Sequence, residues 1–104
     1  MPHYVYVIQC EDGSFYTGYA KDLDLRMKLH MNGKGARYTR MHRPKKIVYV
    51  EEFCSRAEAM RRERTVKISN HRQKLELITL RLNPYIDRVK DRIVGLTDYS
   101  KGLF

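Results

Sequence analysis

The chain has no tryptophan, only two cysteines and three prolines, and not one aspartate or glutamate between Leu25 and Val50. Cys10 and Cys54 show neither a CxxC spacing nor a Cys/His ligand pattern, which argues against a structural zinc site. No apolar stretch approaches the length of a membrane span, so no membrane partner is expected. Residues 1–6 lack the charged and apolar regions of a secretory signal. The expected compartment is therefore the cytoplasm, with both thiols reduced.

The missing acids leave a stretch of one sign. Arg26, Lys28, Lys34, Arg37, Arg40, Arg43, Lys45 and Lys46 fall within it, with His30 and His42 among them. The whole chain holds 21 basic and 12 acidic residues, a formal net charge of +9, so nearly all of the excess lies there. Clustered like charge costs self-repulsion, and is most simply explained by a polyanion whose condensed counterions are released on binding. Two tyrosine-bearing strands precede the stretch and a helix with a lone acid follows it, an order that suggests a nucleic acid cut as well as held.

A length of 104 residues supports one domain, and 42% apolar with 32% charged residues describes a soluble globule with a heavily solvated surface. Tyr4–Cys10 predicts a strand and Phe15–Tyr19 its return, joined through Glu11-Asp12-Gly13-Ser14. Facing residues in a hairpin have a constant index sum. A two-residue Asp12-Gly13 loop sets that sum to 25 and separates Tyr6 from Tyr16; a three-residue loop with Gly13 left-handed sets it to 24 and puts both on one face. A shared site requires the second arrangement.

Residues 22–32 alternate in apolarity like a strand, yet Leu23/Met27/Met31 and Leu25/Leu29 also satisfy i,i+4. Asp22 and Asp24 as starters and Gly33 as a stop favour a helix. Residues 33–45 read as a Gly- and Arg-rich connection ending in Pro44, and 46–54 as a third strand. Ser55 and Glu58 form a capping box opening a helix to about Ser69. A second helix runs from about His71 to Leu82, with Leu75, Ile78 and Leu82 at helical spacing, and Pro84 stops it. Residues 1–83 are expected to form the domain, and 84–104 a tail with no assigned structure.

Glu63 falls in the same stripe as Ala59, Met60 and Val66, so its carboxylate points inward and needs a cation, a hydrogen-bond network or a metal. The plain alternative is an i,i+4 pair with Lys67. A single hard carboxylate suits Mg²⁺, which keeps several waters and takes other ligands from substrate phosphate. Arg26 and His30 share a helix face, one offering bidentate hydrogen bonds to phosphate, the other a donor or proton acceptor near neutral pH. Tyr6 and Tyr16 stand on the two hairpin strands. A phenol becomes a general base only where nearby positive charge stabilises its anion.

Tyr4-Val5-Tyr6, then Tyr16-Thr17-Gly18, then Arg26-x-x-x-His30, Asn32-Gly33-Lys34-Gly35-Ala36-Arg37 and the Glu63 helix resemble the motifs of the GIY-YIG nuclease superfamily, in the family's order. The resemblance covers residues 3–80 and is closest to small stand-alone bacterial members. Neither Gly nor Ile stands in the first triplet, and Thr17 replaces Ile in the second. The resemblance implies an α/β (α+β) fold, a three-stranded antiparallel sheet flanked by helices. It implies a metal-dependent endonuclease using Mg²⁺ or another divalent cation. Tyr6 and Tyr16 take the places of the two family tyrosines, one of which would activate water. Arg26 takes that of the arginine on the scissile phosphate, and Glu63 that of the metal-binding glutamate. His30 matches a histidine found in some members. A polar residue often follows the glutamate, for which Lys67, Asn70 and Gln73 are candidates.

Lys34, Arg37, Arg40, Arg43 and Lys45, with Lys67, would hold the nucleic-acid backbone without reading sequence. DNA is favoured over RNA as the partner, and a monomer is expected. The alternative is a non-catalytic nucleic-acid-binding module using the same surface. An adaptor for acidic proteins would fit the charge but give the Tyr/Arg/Glu order no purpose.

Overall fold

The computed structural model describes residues 2–80. The expected helix end at Leu82, its stop at Pro84 and the tail 84–104 lie outside them. Three strands, β1 (His3–Cys10), β2 (Phe15–Ala20) and β3 (Pro44–Phe53), form one antiparallel sheet in the order β2-β1-β3. Helices α1 (Leu23–Met31) and α2 (Arg37–Met41) lie between β2 and β3, and α3 (Arg56–Ile68) and α4 (His71–Leu80) follow. The expected sheet and its flanking helices are therefore present.

The hairpin adopts the three-residue loop. Ile8 pairs with Tyr16 and Tyr6 with Gly18, Cys10 N–H bonds the Ser14 carbonyl at 2.8 Å, and Gly13 sits at φ +85°. That left-handed residue lets the chain reverse without splaying the strands. Tyr6 and Tyr16 consequently lie on one face.

Central strand β1 buries both of its faces. Tyr4, Tyr6, Ile8 and Cys10 pack with Leu23 and Met27 of α1 and with Ile47 and Val50 of β3. On the other face Val7 and Tyr49 meet Val66 of α3, with Leu77 and Ile78 of α4 packed alongside. Leu75, expected in the apolar stripe of α4, is 45% exposed instead, because Leu77 and Ile78 turn that helix.

Local signals explain the helix ends. The Asp22 carboxylate accepts from Leu25 N–H at 3.0 Å and caps α1. Gly33 at φ +71° closes it, with Lys34 N–H on the Leu29 carbonyl at 2.8 Å and Gly33 N–H on that of His30 at 3.2 Å. The strand-like alternation of this segment was coincidental: Leu23, Met27 and His30 are buried at i, i+4 and i+7, while Leu25 is 54% exposed. Ser55 caps α3 through Glu58 N–H at 3.2 Å. The connection after α1 differs from expectation, since residues 37–41 wind into α2 and β3 starts at Pro44 rather than Lys46. Ala36 gives α2 no side-chain cap, so the sequence carries no start signal there.

Candidate active site

Tyr6 lies in the sheet core, and its ring crosses β2 over Gly18, where an added Cβ would collide with the phenol. Its oxygen is 2.8 Å from His30 Nε2. His30 Nδ1 in turn lies 2.7 Å from Thr39 Oγ1, and the Thr39 hydroxyl donates to the Ala36 carbonyl at 3.0 Å. This pattern assigns the tautomer. With the Thr39 proton committed to Ala36, Thr39 Oγ1 accepts from His30 Nδ1–H, so Nε2 keeps its lone pair and accepts the Tyr6 O–H. Burial, reinforced by the Arg26 charge, pushes His30 down to about 4, so the ring is neutral at pH 7. Gly35 leaves room for that ring, since a Cβ there would run into Nδ1.

Burial holds the Tyr6 phenol well above its ordinary range, against the lowering effect of Arg26. Tyr6 is therefore a fixed donor whose proton faces an imidazole that resists protonation. Tyr16 differs. It is half-buried, its ring centroid lies 5.4 Å from that of His30 and 6.3 Å from that of Tyr6, and it faces the site from the strand edge. Arg26, one helical turn before His30, lies beside both phenols, and the Tyr6 oxygen foremost keeps its guanidinium protonated. Arg26 Nε is buried with no hydrogen-bond partner among the described residues. A buried charge-bearing donor without an acceptor favours an incoming anion.

Glu63 arrives from the other side of the sheet, on α3. Ala59 and Val66 of its stripe are buried and Glu63 is half-buried, as the spacing implied. Among the described residues it forms no salt bridge, with Lys67 or any other cation. Its negative charge is felt at Tyr6, where it disfavours the phenolate. Tyr6, Tyr16, Arg26 and His30 thus form one contiguous cluster, and Glu63 couples to it through space without a hydrogen bond. Of the polar candidates after Glu63, Asn70 and Gln73 are occupied. Each side chain accepts from the other's backbone N–H, at 2.8 and 2.9 Å, and together they cap α4. Lys67 is exposed.

Several contributors carried no sequence signal. Thr39 is one, because its bond to His30 spans a loop with no periodicity. Tyr38 is another: it stacks between Tyr16 at 6.0 Å and His42 at 4.2 Å, and His42 Nδ1 meets the Asp12 carboxylate at 2.6 Å. On α3, Arg62 Nε donates to Glu51 Oε1 at 3.0 Å, and Tyr49 O–H to the same oxygen at 2.5 Å, which fixes the helix beside Glu63 to β3. Lys34, Arg37, Arg40 and Arg43 are exposed and Lys45 is half-buried, and among the described residues Lys34, Arg37, Arg40 and Lys45 enter no salt bridge. No helix among the described residues is long and apolar enough to cross a membrane.

A UPF0213 protein of Staphylococcus saprophyticus is 48% identical over 77 residues, covering 74% of this chain and 94% of its own. The solution NMR structure of a UPF0213 protein from Bacillus halodurans superposes with a TM-score of 0.54 at 48% identity, covering 86% of this chain and 96% of that one. A protein from E. faecalis, also solved by NMR, gives the same TM-score of 0.54 at 36% identity, over 80% of this chain and 92% of that one. The sequence matches the GIY-YIG catalytic domain over residues 2–76, which takes in every residue of the cluster, and the chain belongs to the GIY-YIG family.

Proposed function

We propose that the chain is a metal-dependent endonuclease that hydrolyses nucleic-acid phosphodiester bonds, DNA in preference to RNA, with little sequence specificity. One observation carries this reading: a buried Arg26 Nε without a partner lies beside two phenols, of which Tyr16 borders the accessible side. That arrangement has an anion's place and a proton acceptor next to it, in a chain whose family is defined by a catalytic domain of nucleases.

Arg26 would neutralise the charge that develops on the non-bridging oxygens during in-line attack at phosphorus. Tyr16 would take the proton of the attacking water, with the Arg26 guanidinium beside its phenol. Tyr6 is unsuited to that step, since its proton is committed to His30 and burial opposes its ionisation. His30 and Tyr6 instead fix the wall against which Tyr16 and Arg26 are set.

Glu63 fits a divalent cation. Its carboxylate is half-buried, no described cation neutralises it, and it stands within electrostatic reach of the cluster. No group of three or more ligating side chains surrounds it among the described residues, so water and substrate phosphate would complete the shell, a habit of Mg²⁺. Bound there, the ion would supply Lewis-acid stabilisation of the reacting phosphate.

Tyr16→Phe separates this reading from simple binding. Removing a general base costs on the order of 10²–10⁴-fold in rate. Single-turnover cleavage of labelled DNA should fall by that much, with the dissociation constant in EDTA unchanged within about twofold. Cleavage at the parent rate would remove Tyr16 from the reaction.

A further inference from the structure

Helix α2 has two faces with different business. Inward, Thr39 is bonded to His30 and Tyr38 is stacked on Tyr16. Outward, Arg37, Arg40 and Met41 occupy positions i, i+3 and i+4, one surface of the turn, and all three are exposed. Met41 is 72% exposed, with two guanidinium groups on its own face and no acid in salt-bridge range of either among the described residues. A lone exposed methionine is ordinary on a surface. This one is set apart by its flanking charges and by its place on the short helix that also carries Tyr38, stacked on Tyr16.

A ligand that satisfies this face offers anionic groups together with an apolar surface between them. Duplex DNA offers the phosphates but hides its base faces in the stack. Unpaired or unstacked nucleotides offer both, and methionine is among the side chains that insert against opened base steps. Tyr38 is already engaged, stacked with both Tyr16 and His42. Met41 is the apolar group that remains on this helix.

We infer that the outer face of α2 selects nucleic acid with unpaired bases beside the reacting bond, with Arg37 and Arg40 on phosphates and Met41 against an exposed base. This rests on the nucleic-acid reading of the site and narrows its substrate class.

Fluorescence anisotropy in EDTA, where metal-dependent cleavage is suppressed, tests it with three labelled oligonucleotides of equal length: single-stranded, fully duplex, and duplex with a central mismatch bubble. Met41→Ala should weaken binding to the single strand and the bubble roughly fivefold while leaving the duplex within about twofold. Met41→Leu should keep the parent preference. The salt slope should survive Met41→Ala, since no phosphate contact is lost, whereas Arg40→Ala should reduce it by about one unit on all three probes. Equal loss on every probe, or loss on none, would overturn the inference and leave the nucleic-acid reading standing. A parent protein that binds none of the three would overturn both. Met41 is 72% exposed, so neither substitution threatens folding.

Discussion

Glu63→Gln protein should fold, bind DNA as tightly as the parent or slightly more so, and cut it at least ~10³-fold more slowly. The substitution keeps the shape and the hydrogen-bonding capacity of a side chain that lies half-buried in the stripe of Ala59 and Val66. It removes the only property the metal needs, a formal negative charge on a hard oxygen. Because Glu63 pairs with no cation among the described residues, no orphaned lysine or arginine is left behind. Stability should therefore change by about 1 kcal/mol or less. Removing a carboxylate near the bound phosphate relieves repulsion of a few tenths to about 1 kcal/mol, which sets the sign of the binding change. Single-turnover rates with Mg²⁺, dissociation constants in EDTA and thermal melts separate the three quantities. Folded variant that cuts at the parent rate would show that Glu63 holds no catalytic ion.

Gly18→Ala is expected to destabilise the described domain strongly. Its Cβ would collide with the Tyr6 phenol and press on Tyr16 Cε2, both on the site's face of the sheet. Overpacking a core of this kind costs about 1–3 kcal/mol. Displacing Tyr6 O–H from His30 Nε2 leaves a buried donor and acceptor unmatched, another ~1–3 kcal/mol. At about 4–8 °C per kcal/mol for a domain of this size, the melting temperature should fall by roughly 10–50 °C. Gly33→Ala is the useful comparison: a Cβ there meets nothing within 4 Å, and its φ of +71° alone sets the cost, near 1 kcal/mol. Differential scanning calorimetry on the two variants should separate them clearly. Equal melting temperatures would mean that Tyr6 yields without strain.

The third residue of the Tyr-Thr-Gly triplet illustrates how much was legible in the chain. Its place in the motif could be read, whereas its reason, the passage of the Tyr6 ring over β2, required the pairing of Tyr6 with Gly18. The hairpin register followed from Glu11-Asp12-Gly13 once both tyrosines were required on one face, because strand alternation leaves only two choices. The limits of α1 and the start of α3 were readable because Asp22, Gly33 and Ser55 act locally. Helix α2 was not readable: five residues without a side-chain cap carry too little periodicity to stand out from a loop. With α2 went Thr39 and Tyr38, whose roles are tertiary. Glu63 was placed on its inward stripe by spacing alone, yet nothing in the spacing could show that Lys67 leaves it unpaired. Asn70 and Gln73 looked like site residues and are helix caps, because a reciprocal cap needs the same polar side chains as a ligand set does.

Incubation of the purified chain with supercoiled plasmid and with single-stranded and branched DNA, in Mg²⁺ or in EDTA, tests the central claim most directly. A divalent-dependent endonuclease should nick or cut at least one of these substrates in Mg²⁺, and EDTA should abolish the reaction. Cleavage that persists unchanged in EDTA, or none of any substrate by protein that binds all of them, would contradict it.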